Sequence, residues 1–259
     1  VDKRTWHFIN VKYDEEESRR KIFRRIVVGP DERLHTAAQR IAMLEVPEEK
    51  QLSPLELQQR HDEAFDVEAV TKAFFKSFAE TFHLLRDEIE ELNPRCVDKA
   101  SEFSQVLLDR LMFLYFIQKK GWLSGNRNYL YEAFKRGYKD HPEKHSYYSD
   151  IVLRLSQRLA SSEPIFKDLG DVPFLNGGLF EISPWEYPLK IRNKVFAQMF
   201  RDLFEHYNFT VREDTVMDME VAIDPEMLGK VFENLILTLE KDPKTDLRKA
   251  TGSYYTPRV

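Results

Sequence analysis

The chain has 259 residues, 42% hydrophobic and 13% aromatic, which is enough apolar surface for a full core and too much for a disordered tail. Its net charge of −5 argues against a surface that wraps nucleic acid throughout, because neutralising phosphates takes a clustered positive field; local clusters stay open. One cysteine, Cys96, excludes an internal disulfide or a thiolate zinc site and suits a reducing cytoplasm, and the wholly apolar run at residues 111–117 falls well short of the roughly 20 residues that span a bilayer.

Two β-rich segments, residues 5–13 and 21–28, flank the charged stretch 14–20 and predict a hairpin, the one convincing sheet. Gly29-Pro30-Asp31 breaks the second strand and starts a helix carrying Ala37, Ala38, Ile41 and Leu44, which ends before Pro47. Ser53-Pro54-Leu55-Glu56 is a helix start with reciprocal capping: the Ser53 hydroxyl and the Glu56 carboxylate each satisfy a backbone N–H, and Pro54 takes the first turn. Val67, Val70, Phe74, Phe78, Phe82, Leu85, Ile89 and Leu92 then recur every three or four positions and predict a long helix ended by Asn93-Pro94. Residues 97–120 are apolar nearly all round at their centre and predict the innermost helix, with Gly121 as a left-handed cap.

Helices are expected near 129–139 and 147–160. Residues 171–188 read as loop-like, with Asn176-Gly177-Gly178 a tight turn between short extended pieces. Val195, Phe196, Met199, Phe200, Leu203, Phe204 and Tyr207 form another helical stripe. Leu228, Val231, Phe232, Leu235, Ile236 and Leu239 form the last, capped by Asp224 with Pro225. The expected fold is mainly α, a multi-helix bundle with a small N-terminal β-hairpin and a short extended loop region near 171–188. Residues 1–30 read as the tail of an upstream domain, 31–240 as a helical spacer and 241–259 as a hinge leading into a further domain.

Candidate chemistry is sparse. Lys119, Lys120, Arg127, Lys135, Arg136 and Lys139 surround Trp122, Tyr129, Tyr131 and Tyr138 with only Glu132 opposing, so cations can hold phosphates while aromatics offer stacking surface. This cluster is the best nucleic-acid candidate in the chain. Arg19, Arg20, Lys21, Arg24 and Arg25 form a second cluster, weakened by Glu15, Glu16 and Glu17. Pro30-Asp31 and Glu48-Glu49-Lys50 match the loose pattern of metal-dependent nucleases, but a predicted helix separates the two parts and a charged loop is the expected reading. Magnesium would enter only with a nuclease domain upstream. His141 and His145 lack further ligands for a metal site and read as a surface loop.

The chain closes on Gly252-Ser253-Tyr254-Tyr255-Thr256-Pro257, preceded by Ile223-Asp224-Pro225-Glu226-Met227-Leu228-Gly229-Lys230-Val231-Phe232-Glu233-Asn234. With Leu108-Asp109-Arg110-Leu111 and Phe174-Leu175-Asn176-Gly177-Gly178-Leu179-Phe180-Glu181 in the same order, it resembles fused, type IIG-like restriction–modification enzymes that methylate adenine in DNA. The resemblance implies that residues 241–259 open a methyltransferase domain and that Tyr255, Thr256 and Pro257 meet S-adenosylmethionine in the full-length enzyme. It also implies partner domains on both sides in the same polypeptide, and a cytoplasmic protein. The Asn/Asp-Pro-Pro-Tyr/Phe motif that polarises the amino group of a flipped adenine is absent from these 259 residues, so this chain is expected to be catalytically silent alone. A helical scaffold that binds proteins rather than DNA is the alternative.

Overall fold

Alternation in the first thirty residues produces the expected hairpin. Strands β1 (Trp6–Tyr13) and β2 (Lys21–Val28) pair antiparallel in register from Trp6 opposite Val28 to Tyr13 opposite Lys21. The computed structural model describes residues 4–13, 21–30, 32–46, 51–175, 178–210 and 218–223. The chain divides into two units: one draws on Val1–Phe75 and Glu205–Met227, the other on Lys76–Phe204. The predicted helix over 228–239 and the segment 241–259 lie outside the described residues.

In the first unit a third strand, β3 (Asp218–Glu220), adds to the hairpin in parallel with β2, Phe23 opposite Asp218 and Arg25 opposite Glu220. The Val221 N–H donates to the Arg25 carbonyl at 2.8 Å and continues the pairing by one residue. The buried Glu220 carboxylate accepts from Asn208 Nδ2 at 3.4 Å and Thr210 Oγ1 at 3.2 Å, so its lone pairs are used inside the protein. Helix α1 (Leu34–Ala42) docks on the same segment: Arg33 pairs with Glu205 at 2.8 Å and the Thr36 hydroxyl donates to the His206 carbonyl at 3.0 Å. Helix α2 (Pro54–Ala64) starts at the predicted capping box, with the Ser53 N–H donating to Glu56 at 2.8 Å and the Glu56 N–H to Ser53 Oγ at 3.3 Å.

Helix α3 (Val67–Leu92) follows the predicted stripe, with Val67, Val70, Phe74, Phe78, Phe82, Leu85 and Ile89 all buried. Each such side chain contributes roughly 1.5–3 kcal/mol relative to exposure. Asn93 ends the helix. Its side-chain amide accepts from the Lys190 N–H at 2.8 Å and donates to the Lys190 carbonyl at 2.9 Å, imitating a strand pair with a segment 97 positions away.

In the second unit helix α4 (Ala100–Lys119) is the innermost element, as its all-round hydrophobicity predicts, and Gly121 supplies the left-handed cap at φ +80°. Helix α5 (Tyr129–Gly137) follows, then a π-helical turn (Tyr148–Leu153) running into α6 (Arg154–Ala160). Helix α7 (Asn193–Met199) runs into a second π-helical turn (Phe200–Phe204). The stripe from Val195 to Tyr207 is buried at every predicted position.

The region near 171–188 is loop-like, as expected, with short helical turns added. Between loop-like stretches it contains short 3-10 turns at Gly178–Phe180 and Pro184–Glu186, beside another at Lys167–Leu169, while Asn176 and Gly177 of the predicted tight turn lie outside the described residues. Ser183-Pro184-Trp185-Glu186 repeats the capping pattern of Ser53-Pro54-Leu55-Glu56, with the Ser183 N–H donating to Glu186 Oε1 at 3.0 Å. Local capping therefore favours helical turns where composition alone suggests loop.

Arg192 fixes the end of this region. Its backbone N–H and guanidinium both bond the buried Glu88 carboxylate, at 2.8 and 2.6 Å, and Glu91 accepts at 2.7 Å. Burial alone would raise the Glu88 pKa, but the Arg192 bonds outweigh it and hold the group below the usual carboxylate range.

Candidate nucleic-acid interface

The basic segment lies in the second unit, across the end of α4, the turns after it and α5. Lys119 is half-buried, while Lys120, Arg127, Lys135, Arg136 and Lys139 are exposed. Lys135 and Arg136 occupy the last turn of α5, where the free carbonyl end of the helix favours positive charge. Lys135 Nζ lies 4.7 Å from the centre of the Tyr131 ring and Lys120 Nζ 5.3 Å from that of Trp122. Contacts of this kind contribute about 0.5–1 kcal/mol at exposed sites, little enough to be exchanged for a phosphate.

The platform beneath is rigid. Gln118 Oε1 accepts from the Leu130 N–H at 3.0 Å, tying α4 to the start of α5. The Tyr147 hydroxyl donates to the Leu130 carbonyl at 2.9 Å, and the Tyr129 hydroxyl to the Leu169 carbonyl at 2.8 Å. The fully buried Asn193 accepts from the Tyr147 N–H at 3.0 Å and donates to the His141 carbonyl at 2.9 Å. Ser124, left-handed at φ +54°, donates its N–H to the Asp171 carbonyl at 2.8 Å. Gly170, at φ +83°, has no room for a side chain, since a Cβ there would meet Ser124 Oγ at 2.2 Å. Hydrogen bonds of this kind fix the backbone positions from which the cations project.

The stacking surface is narrower than the sequence suggests. Trp122 is 46% exposed, but Tyr129 is buried and Tyr131 and Tyr138 are half-buried against Phe200 and Tyr147. Periodicity cannot separate the face of α5 that meets solvent from the face that meets the core when tyrosines occupy both.

Other sequence candidates fare differently. Arg25 is buried, Arg24 donates to the Phe23 carbonyl at 3.2 Å, and Arg19 and Arg20 lie outside the described residues, so the second cluster does not form a described exposed patch. Asp31, Glu48, Glu49 and Lys50 also lie outside them, as do Tyr255, Thr256 and Pro257. Among the described residues no group of three or more His, Cys, Asp or Glu side chains could hold a metal ion, and no helix is long and apolar enough to cross a membrane.

Sequence reasoning overlooked a junction at the heart of the second unit. The Arg110 guanidinium, fully buried, donates to the Leu179 carbonyl at 2.7 Å, the Glu181 carbonyl at 2.8 Å and the Glu186 carboxylate at 2.5 Å. The 108–111 and 174–181 motifs, some 70 positions apart, are thus parts of one structure. The charged pair Asp109-Arg110 inside the otherwise apolar run of residues 106–117 was the available signal.

Neighbouring Asp109 keeps some solvent contact, yet its carboxylate lies deep among protein atoms. Burial pushes its pKa up to about 8 against the opposing effects of the Gln105 hydrogen bond, at 2.8 Å, and of Arg110. Between about pH 4 and 8 the folded chain then binds a proton that the unfolded chain releases, so stability falls as pH rises through this window. Asp109→Asn removes the dependence. At pH 8 the variant should be more stable than the parent by on the order of 2 kcal/mol, after allowance for the partial exposure, and at pH 4 nearly equal. Urea titrations of both proteins at the two pH values check this.

Over 168 aligned residues the chain is 30% identical to a protein of Methanocaldococcus jannaschii named provisionally as a type II restriction enzyme and methyltransferase. That region is 60% of this chain and 13% of the relative's length. Over this region the chain is thus similar to a protein that carries a provisional restriction–modification name. Neither a protein-family model nor a solved structure matches it.

Proposed function

We propose that the chain is the helical, DNA-engaging portion of a fused restriction–modification or phage-defence protein whose complete form methylates adenine N6 in DNA from S-adenosylmethionine. The observation that carries this reading is the similarity to the M. jannaschii protein, supported by six cations against one acid on a rigid platform in a chain of net negative charge. Lys120, Arg127, Lys135, Arg136 and Lys139, with Lys119 beside them, hold phosphates of duplex DNA and set its position without reading sequence. Tyr255, Thr256 and Pro257 contribute to the cofactor site. Those three lie outside the described residues; the cations draw DNA in electrostatically and keep it in register with the domain that performs the transfer.

Fluorescence anisotropy with mixed-sequence duplex DNA between 50 and 200 mM salt tests the reading. Binding should weaken steeply with salt, and Lys135→Ala with Arg136→Ala should cut low-salt affinity about tenfold and make the plot of log K against log salt shallower by about two. Binding that ignores salt, or a double variant that binds like the parent, contradicts it. The fold of the variant is safe, since both side chains are exposed.

A further inference from the structure

A cavity of about 160 Å³ opens in the second unit between α4 and residues 178–186. Its floor is the Arg110–Glu186 pair, which has little charge left to offer: Arg110 is committed to Glu186 and two carbonyls, and Glu186 to Arg110 and the Ser183 N–H. Phe103, Val106 and Trp185 give it apolar and aromatic walls, and Glu102 and the exposed Glu181 stand at its lip. No cation with open valence lines it.

A cation already sits at its edge. Lys99 Nζ lies 5.2 Å from the centre of the Trp185 ring and 4.0 Å from Glu102 Oε2, outside the lining itself. The molecule's own ammonium thus shows what this wall attracts. An indole face and a neighbouring carboxylate together suit a planar guanidinium better than an ammonium, because the plane stacks on the ring while the N–H fork reaches the acid. Phosphate is disfavoured by the same carboxylates, which sets this face apart from the basic segment at α5.

We propose that the cavity receives an arginine side chain presented by a polypeptide segment, making this face of the second unit a protein-docking site. The inference stands independently of the DNA reading. An arginine entering the cavity would end beside the neutralised Arg110–Glu186 pair, whose carboxylate screens it from like charge.

The chain labelled with 5-fluorotryptophan has three ¹⁹F signals, from Trp6, Trp122 and Trp185, and Trp185→Phe assigns the third. Titration with a blocked Gly-Arg-Gly tripeptide should shift the Trp185 signal selectively and saturably, while the citrulline analogue, isosteric and neutral, should leave it in place. Glu102→Gln with Glu181→Gln should weaken the response at least tenfold; both side chains reach solvent, so the variant keeps its fold, which circular dichroism verifies. No selective shift, an equal shift with citrulline, or a response untouched in the double variant would each overturn the proposal. Guanidinium ion acting as strongly as the tripeptide at equal concentration would assign the cavity to a small free cation and overturn the polypeptide assignment.

Discussion

Arg110→Ala should lower the unfolding free energy by about 3–5 kcal/mol, the cost of leaving a buried ion without its partner. Glu186 is 3% exposed and would be left without its ion-pair partner beside the Tyr148 ring, and the Leu179 and Glu181 carbonyls would lose their donors together. Burial already raises the Tyr148 hydroxyl far above its ordinary pKa, with Glu186 adding to the effect, so that hydroxyl can give the carboxylate at most a neutral hydrogen bond. Arg110→Lys should recover little, since one ammonium cannot serve a carboxylate and two carbonyls spread along a fork. Arg110→Met with Glu186→Leu should be less damaging than Arg110→Met alone, because no charge remains buried. Denaturant titrations of the four variants check the set, and a double variant worse than the single would show that the hydrogen bonds outweigh the charge pairing.

Phe200→Ala should cost about 3–5 kcal/mol through the cavity it leaves. Phe200 is 1% exposed and opens the second π-helical turn, with ring centres 5.2 Å from Phe134, 5.4 Å from Tyr131 and 5.8 Å from Tyr147. Two of these rings belong to α5 and the third carries the hydroxyl that holds the Leu130 carbonyl. The substitution should therefore loosen the platform of the basic segment as well as lower the melting temperature. Hydrogen exchange should show early loss of protection in α5. Protection unchanged in α5 beside a lower melting temperature would mean that the cluster supports the unit without positioning the cations.

Most helices were legible because hydrophobic spacing and capping are local signals. The stripes from Val67 to Ile89 and from Val195 to Tyr207 are buried at every position named, and Ser53-Pro54-Leu55-Glu56 caps as its chemistry requires. What escaped depends on partners far along the chain. Strand β3 is three residues long and gains its identity from pairing with β2, nearly 200 positions earlier. The two π-helical turns sit inside predicted helices, where apolar spacing does not distinguish wide turns from ordinary ones. Ser183-Pro184-Trp185-Glu186 carried the same signal as the first capping box, but surrounding prolines and glycines gave it the appearance of loop.

The candidate interface was legible as charge, while the burial of Tyr129, which narrows its aromatic surface, needed the third dimension. Arg110 was visible, with Asp109, as a charge in an otherwise apolar run, and its three partners were not, since they lie about 70 positions away.

The most direct measurement is transfer of a labelled methyl group from S-adenosylmethionine to mixed-sequence DNA by the full-length protein, with Thr256→Ala beside it. The account predicts label on adenine N6, reduced in the variant through weaker cofactor binding, and further reduced at moderate salt when Lys135 and Arg136 become alanine. A folded full-length protein that neither binds the cofactor nor labels DNA would contradict it.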